Sequence, residues 1–152
     1  MGANETLDLL LGTWRVERTV NDHRRGDQGH FRGTASFTRH GDVPNAHDGD
    51  RVRFDEVGDY SVGDYHGEAR RSLEYVASTD SSVAITFLDG HHFIDLNLAS
   101  GASRDEHLCN LDRYEITTVV KSRDLLEERW RVEGPEKDYD AVASLKRITD
   151  ED

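Results

Sequence analysis

Basic residues are scarce in this chain of 152 residues: 19 lysines and arginines face 31 aspartates and glutamates, giving a formal charge of −12. That balance argues against nucleic acid or an anionic membrane as partner, because phosphate binding needs clustered Lys and Arg. The pairs Arg24-Arg25 and Arg70-Arg71 are too small to reverse it. No apolar run approaches the ~18 residues of a membrane span. There is a single cysteine, Cys109, which rules out an internal disulfide and fits a reducing compartment. The opening MGANETLDLLLG carries acidic residues and no basic stretch before its leucines, unlike a secretory signal. A cytoplasmic protein is expected. The motifs of chemistry are missing too. Without a Gly-rich phosphate loop, a G-x-S-x-G elbow, H-E-x-x-H or paired C-x-x-C, nucleotide hydrolysis, serine hydrolysis and zinc proteolysis lack their parts. No metal site and no cofactor is predicted.

Helical periodicity is nearly absent. One short helix is expected over residues 4–11, capped by Asn4, with Leu7, Leu10 and Leu11 as its buried side. The rest alternates with period two between turn signals, the pattern of an all-β barrel or sandwich. A first strand over 13–20 sets Trp14, Val16 and Val20 on one face. A second over 30–39 aligns Phe31, Gly33, Ala35 and Phe37, and a third over 51–57 aligns Val52, Phe54 and Glu56. A fourth over 65–76 gathers Tyr65, Gly67, Ala69, Arg71, Leu73 and Tyr75. Between the second and third lies a long polar loop, HGDVPNAHDGD.

Asp89-Gly90 is a strong two-residue hairpin signal, since a type I′ turn needs φ > 0 at both central residues. This register pairs Leu88 with His91 and puts His92, Ile94, Leu96 and Leu98 on the face of Val83, Ile85 and Phe87. A long strand over 106–121 needs a bulge near 110–112 to bring His107 and Cys109 onto the face of Tyr114, Ile116 and Val120. Strands over 126–132 and 139–148 complete the set. With about nine to ten antiparallel strands joined by short turns, closure into one up-and-down barrel over residues 1–152 is favoured because it removes the sheet edges. A chain of this length buries roughly 68–70% of its unfolded surface as one domain.

Gly12-Thr13-Trp14 on the first strand, with Arg147 near the end of the last, resembles the calycin superfamily of lipocalins, fatty-acid-binding proteins and nitrobindins. The resemblance implies that Trp14 plugs the closed end of the barrel and Arg147 packs across its face. A nearer resemblance covers most of the chain, through LLGTWRVERTV, GHFRGTASF, the corner 56–58, residues 71–75, FLDGHHFIDL, EHLCNLDRY and WRVEGPEKDY. It is to an uncharacterised prokaryotic family of small calycin-like proteins, a domain of unknown function, and it brings no activity with it. Relatives carry a histidine directly after the hairpin phenylalanine; here that position is Ile94, so no role for it is carried over.

Several strands hold a polar residue in phase with their apolar face: Arg18, Glu56, Arg71, His92 and Glu128, joined by His107 and Cys109 if the bulge forms. Unpaired charges cost several kcal/mol in an apolar core, so these need partners, water or a ligand. A barrel of this size commonly encloses one small ligand. The first reading is therefore a small-molecule binding protein, a monomer or homodimer. Its ligand would lie among Arg18, Arg71, His92, Cys109, Tyr114 and Tyr139, with Arg18 or Arg71 holding an anionic or carbonyl group. The second is a cofactor-free isomerase, cyclase or dehydratase, with Glu56, raised in pKa by burial, or His107 as general base and Arg71 stabilising an oxyanion. The third, which the resemblance to nitrobindins suggests, is a haem protein with His107 or His92 as axial ligand. Each residue also has a plainer role: Arg18 as the structural partner of Glu56 or Glu128, Glu128 near the mouth in water, His92 on the rim.

Overall fold

A computed structural model describes residues 1–39 and 51–149; the polar loop after the second strand lies outside the described residues. One helix, α1 (Ala3–Leu10), precedes ten strands: β1 (Gly12–Asp22), β2 (Asp27–Arg39), β3 (Arg51–Val62), β4 (Tyr65–Ala77), β5 (Val83–Thr86), β6 (His92–Leu96), β7 (Ala102–Cys109), β8 (Asp112–Ser122), β9 (Leu125–Glu133) and β10 (Asp138–Arg147). All neighbours are antiparallel, in the order β6-β5-β4-β3-β2-β1-β10-β9-β8-β7. The sheet curls into a nearly closed, up-and-down barrel, as the alternation predicts.

The helix begins two residues earlier than the Asn4 cap predicts, with Gly2 as its N-cap. The Gly2 N–H donates to the Glu5 carboxylate at 3.3 Å, so an acidic residue one turn in does the capping. Leu7 and Leu10 are buried as expected, with Ala3 and Thr6 in place of Leu11. They cover one end of the barrel over Trp14, which is wholly buried. Its indole N–H donates to the Leu10 carbonyl at 2.8 Å, and the Arg147 guanidinium lies 4.3 Å from its ring centroid. Arg147 also donates to the carbonyls of Leu9 and Leu11 at 2.6 and 2.8 Å, groups that the end of a helix leaves without partners. Gly12, at φ 120°, leaves room for that guanidinium; a Cβ there would sit 3.3 Å from Nη1. The Arg147 guanidinium lies across the Trp14 ring, the contact that the resemblance implies.

Two hairpins differ from expectation. The expected bulged strand is two strands, β7 and β8, joined at Asn110-Leu111, with Asn110 at φ 56°. Asn tolerates the left-handed region, and Leu111 is solvent-exposed. The pairing His107↔Tyr114 and Asp105↔Ile116 still aligns the expected face, by a turn rather than a bulge. At the Asp89-Gly90 turn the loop holds three residues: Phe87 N–H donates to the His91 carbonyl and Gly90 N–H to that of Phe87, both at 2.9 Å. Gly90 takes the left-handed conformation at φ 93°, the usual end of a three-residue hairpin. A register shift follows, pairing Ile85 with Ile94 and Thr86 with His92. Phe93 and Ile94 are therefore both buried, and His92 faces solvent.

Two further features shape the lumen. Gly33 and Gly58 are directly paired across β2 and β3, and the Phe31 ring lies across both: a Cβ on either would meet its Cζ at 2.9 or 2.7 Å. Closure between β6 and β7 runs through side chains rather than a backbone ladder. The Asp95 N–H donates to Asp105 Oδ2 at 2.7 Å and the Asn97 N–H to Ser103 Oγ at 3.0 Å.

Candidate functional site

The lumen has two halves. Toward α1 it is packed with apolar side chains, among them Phe37, Phe54 and Tyr75, whose rings lie 5.0–6.0 Å apart. An enclosed space of about 30 Å³ remains there, enough for a water but not for an organic ligand. Toward the other end the lumen opens into a cavity of about 390 Å³ lined by Phe31, Tyr60, Trp130, Tyr139, Val20 and the small residues Ala69 and Ala141. Arg18, Glu56 and Arg71 form its floor, Asp22 and Arg70 its remaining charged lining.

Strand register assembles that floor. Arg18 stands between Val16 and Val20 on β1, Glu56 lies opposite Arg71 across β3 and β4, and Glu128 lies opposite Ala143, the partner of Arg18. Arg18 grips Glu56 with both guanidinium nitrogens, at 3.1 and 2.9 Å, and Arg71 Nε donates to the same carboxylate at 3.2 Å. The Nη2 of Arg71 lies 3.8 Å from Glu128, whose other partner is the indole N–H of Trp130. The Arg71 guanidinium is sandwiched between Phe54 and Trp130, 5.4 and 5.2 Å from their centroids, and Arg18 lies 5.0 Å from that of Phe31. Two guanidiniums thus face two carboxylates, and the aromatic faces complete their surroundings.

Burial acts on Glu56 by favouring its neutral form, but the Arg18 hydrogen bonds and the charges of Arg71 and Arg18 outweigh it. The carboxyl is held below its ordinary value of 4.5. This corrects the expectation of a base raised in pKa by burial: a carboxylate saturated by two guanidiniums is a poor proton acceptor. Burial lowers Arg71, yet the charges of Glu128 and Glu56 hold it above its usual value. Burial raises the phenol of Tyr139, and burial with nearby Asp27 and Asp22 raises that of Tyr60, so both line the cavity as neutral hydroxyls.

Of the residues the sequence singles out, Arg18, Glu56, Arg71 and Tyr139 meet at this cavity. His92, Cys109, Tyr114 and His107 do not line it. His92 is displaced outward by the hairpin register and pairs with Asp95 at 2.9 Å. Cys109 is exposed beside the β7–β8 turn. The Tyr114 hydroxyl accepts from Lys137 at 2.7 Å. His107 lies in an aromatic cluster near Phe93, Phe87 and Tyr114, at 5.1–6.0 Å between centroids. The sequence reading missed Tyr60, because Gly58-Asp59 reads as a strand end whereas β3 continues to Val62. It also missed Phe31 and Trp130 as lining, although both stand in phase with the lumen. Among the described residues no group of three or more His, Cys, Asp or Glu could hold a metal ion. No helix among them is long and apolar enough to cross a membrane. Among the described residues that line the cavity there is no His, Cys or Met, and neither His92 nor His107, the two axial ligands considered for haem, reaches it.

The profile of a family of unknown function, DUF6314, matches residues 10–147. No curated protein matches the chain in sequence. Among solved structures it is similar to the S-type phycobiliprotein lyase of Guillardia theta, at TM-score 0.72 and 10% identity over 98% of this chain and 94% of that one. It is also similar to a DUF3598-family protein of unknown function from Nostoc punctiforme, at TM-score 0.60 and 14% identity over 93% of this chain. It spans about half of that protein, 49%. Both likenesses are of fold.

Proposed function

We propose that this chain, which belongs to the DUF6314 family, holds one small, partly apolar molecule in the open half of its barrel. The observation that carries the reading is the cavity itself: about 390 Å³ of space walled by Phe31, Tyr60, Trp130 and Tyr139 over a floor of ion-paired arginines. A mostly apolar, concave wall with a few convergent polar groups is the usual form of a ligand site. Of the floor groups, the side chain of Arg71 is 30% exposed and that of Glu56 only 4%. The ligand therefore meets guanidinium N–H donors first, and its polar end is an oxygen acceptor.

The catalytic reading has less support. Glu56 is held in its charged form, and His107 sits in the aromatic cluster outside the cavity lining. A carrier or sensor acting in a reducing compartment accords with both and with the lone exposed Cys109.

The test is native mass spectrometry of freshly purified protein against its denatured mass, run beside Ala69→Trp. That substitution fills the cavity from β4 and leaves the residues of the ion cluster unchanged. The expected result is a reproducible excess mass in the native protein, lost in Ala69→Trp. A native mass equal to the denatured one, or an excess that survives in Ala69→Trp, overturns a tightly held ligand at this site.

A further inference from the structure

The floor of the cavity is balanced in charge, and the way it is balanced bears on what it admits. Arg18 is matched by Glu56 through two hydrogen bonds. Arg71 shares Glu56 through Nε and takes its second carboxylate from Glu128, which also accepts from the indole N–H of Trp130. Its Nη1 has no partner among the described residues. The floor thus presents one partly exposed guanidinium, that of Arg71, whose positive charge is already answered by two carboxylates.

We propose that Glu128 makes this site selective for an uncharged oxygen acceptor, a ketone or amide carbonyl, over a carboxylate of the same shape; the inference rests on the cavity reading above. A carbonyl oxygen accepts from Arg71 and leaves the cluster neutral. A carboxylate brings a third negative charge to two guanidiniums already matched by two carboxylates. Of the other charged residues in the lining, Arg70 is answered by Glu68 at 2.6 Å, and Asp22 adds repulsion of the same sign. Discrimination here comes from what the site repels as much as from what it holds. Glu128, rather than Glu56, is the determinant. Glu56 is tied by three hydrogen bonds that organise the floor, whereas Glu128 touches Arg71 at a single 3.8 Å approach. Glu128→Gln also keeps an oxygen for the Trp130 N–H, so it removes a charge and little else.

The test uses 2-naphthamide and 2-naphthoate, one skeleton with a neutral and an anionic end, titrated at pH 7 by ligand-observed NMR. They are compared in the wild-type protein, in Glu128→Gln and in Glu127→Gln. Glu127 alternates to the outer face of β9, paired with Arg129 at 2.8 Å, and makes the same change in net charge away from the lumen. The wild type should favour the amide by about ten-fold, the equivalent of ~1.4 kcal/mol. Glu128→Gln should erase most of that preference through tighter naphthoate binding, and Glu127→Gln should leave it in place. Wild-type binding of naphthoate as tight as that of the amide overturns the inference without any variant. A preference that moves equally in the two variants overturns it as well, assigning the effect to overall charge. If neither probe binds the wild type, it is the cavity reading that falls, and the inference with it.

Discussion

At the scale of single residues, Glu56 is the group on which the lumen turns. Its side chain is 4% exposed and engaged by Arg18 and Arg71. Removing one partner of a buried ion pair leaves the other charge unanswered, so Glu56→Gln should cost about 3–5 kcal/mol at pH 7. The pH dependence has a definite sign. Because the folded carboxyl lies below the ordinary 4.5, its stabilisation is complete above the unfolded value and disappears as pH falls through the folded one. Urea unfolding at pH 7 and again below pH 4 should therefore show a gap between wild type and Glu56→Gln that narrows in acid; a gap independent of pH would refute the assignment. That Arg18 would meet Glu56 or Glu128 was legible from strand parity, but the choice of Glu56 was not. Nor was the direction of the Glu56 shift, because parity places a carboxyl inside without counting the guanidiniums around it.

At the scale of elements, what the sequence reveals is periodicity, and what it hides is turn geometry. β1 to β4, β9 and β10 follow their alternation closely. The two misread hairpins fail for opposite reasons. Asn110-Leu111 lacks the glycine that marks a tight turn, so two strands read as one. Asp89-Gly90 carries that signal, but its loop holds one residue more, which moves Phe93 inward and His92 outward. The Asn110 conformation can be tested directly. Asn110→Gly should be neutral or mildly stabilising, and Asn110→Val should cost about 1–2 kcal/mol, the left-handed penalty of a β-branched residue. Thermal unfolding of both variants reads the difference, and equal melting temperatures would reject the turn as described.

At the scale of the whole molecule, the barrel was legible because alternating strands with short turns close most simply on themselves. The partition of its lumen was not, because it depends on which rings lie over which: Phe31 across Gly33 and Gly58, Trp130 across Arg71. Closure is uneven as well. Every strand joins its neighbour by a backbone ladder except β6 and β7, which meet through Asp105 and Ser103. The double variant Asp105→Ala, Ser103→Ala should speed amide exchange at Asp95 and Asn97 while sparing β2 and β3, at a cost of about 1 kcal/mol per lost bond. Unchanged exchange at those two amides would show that the seam is held by something else. The two tryptophans of the chain stand in the two halves of this lumen, each stacked with an arginine. The indole of Trp14 donates to a main-chain carbonyl in the plug, and that of Trp130 to a carboxylate beside the cavity. The protein therefore carries a built-in pair of optical reporters, one whose emission follows the integrity of the fold and one whose emission follows what occupies it.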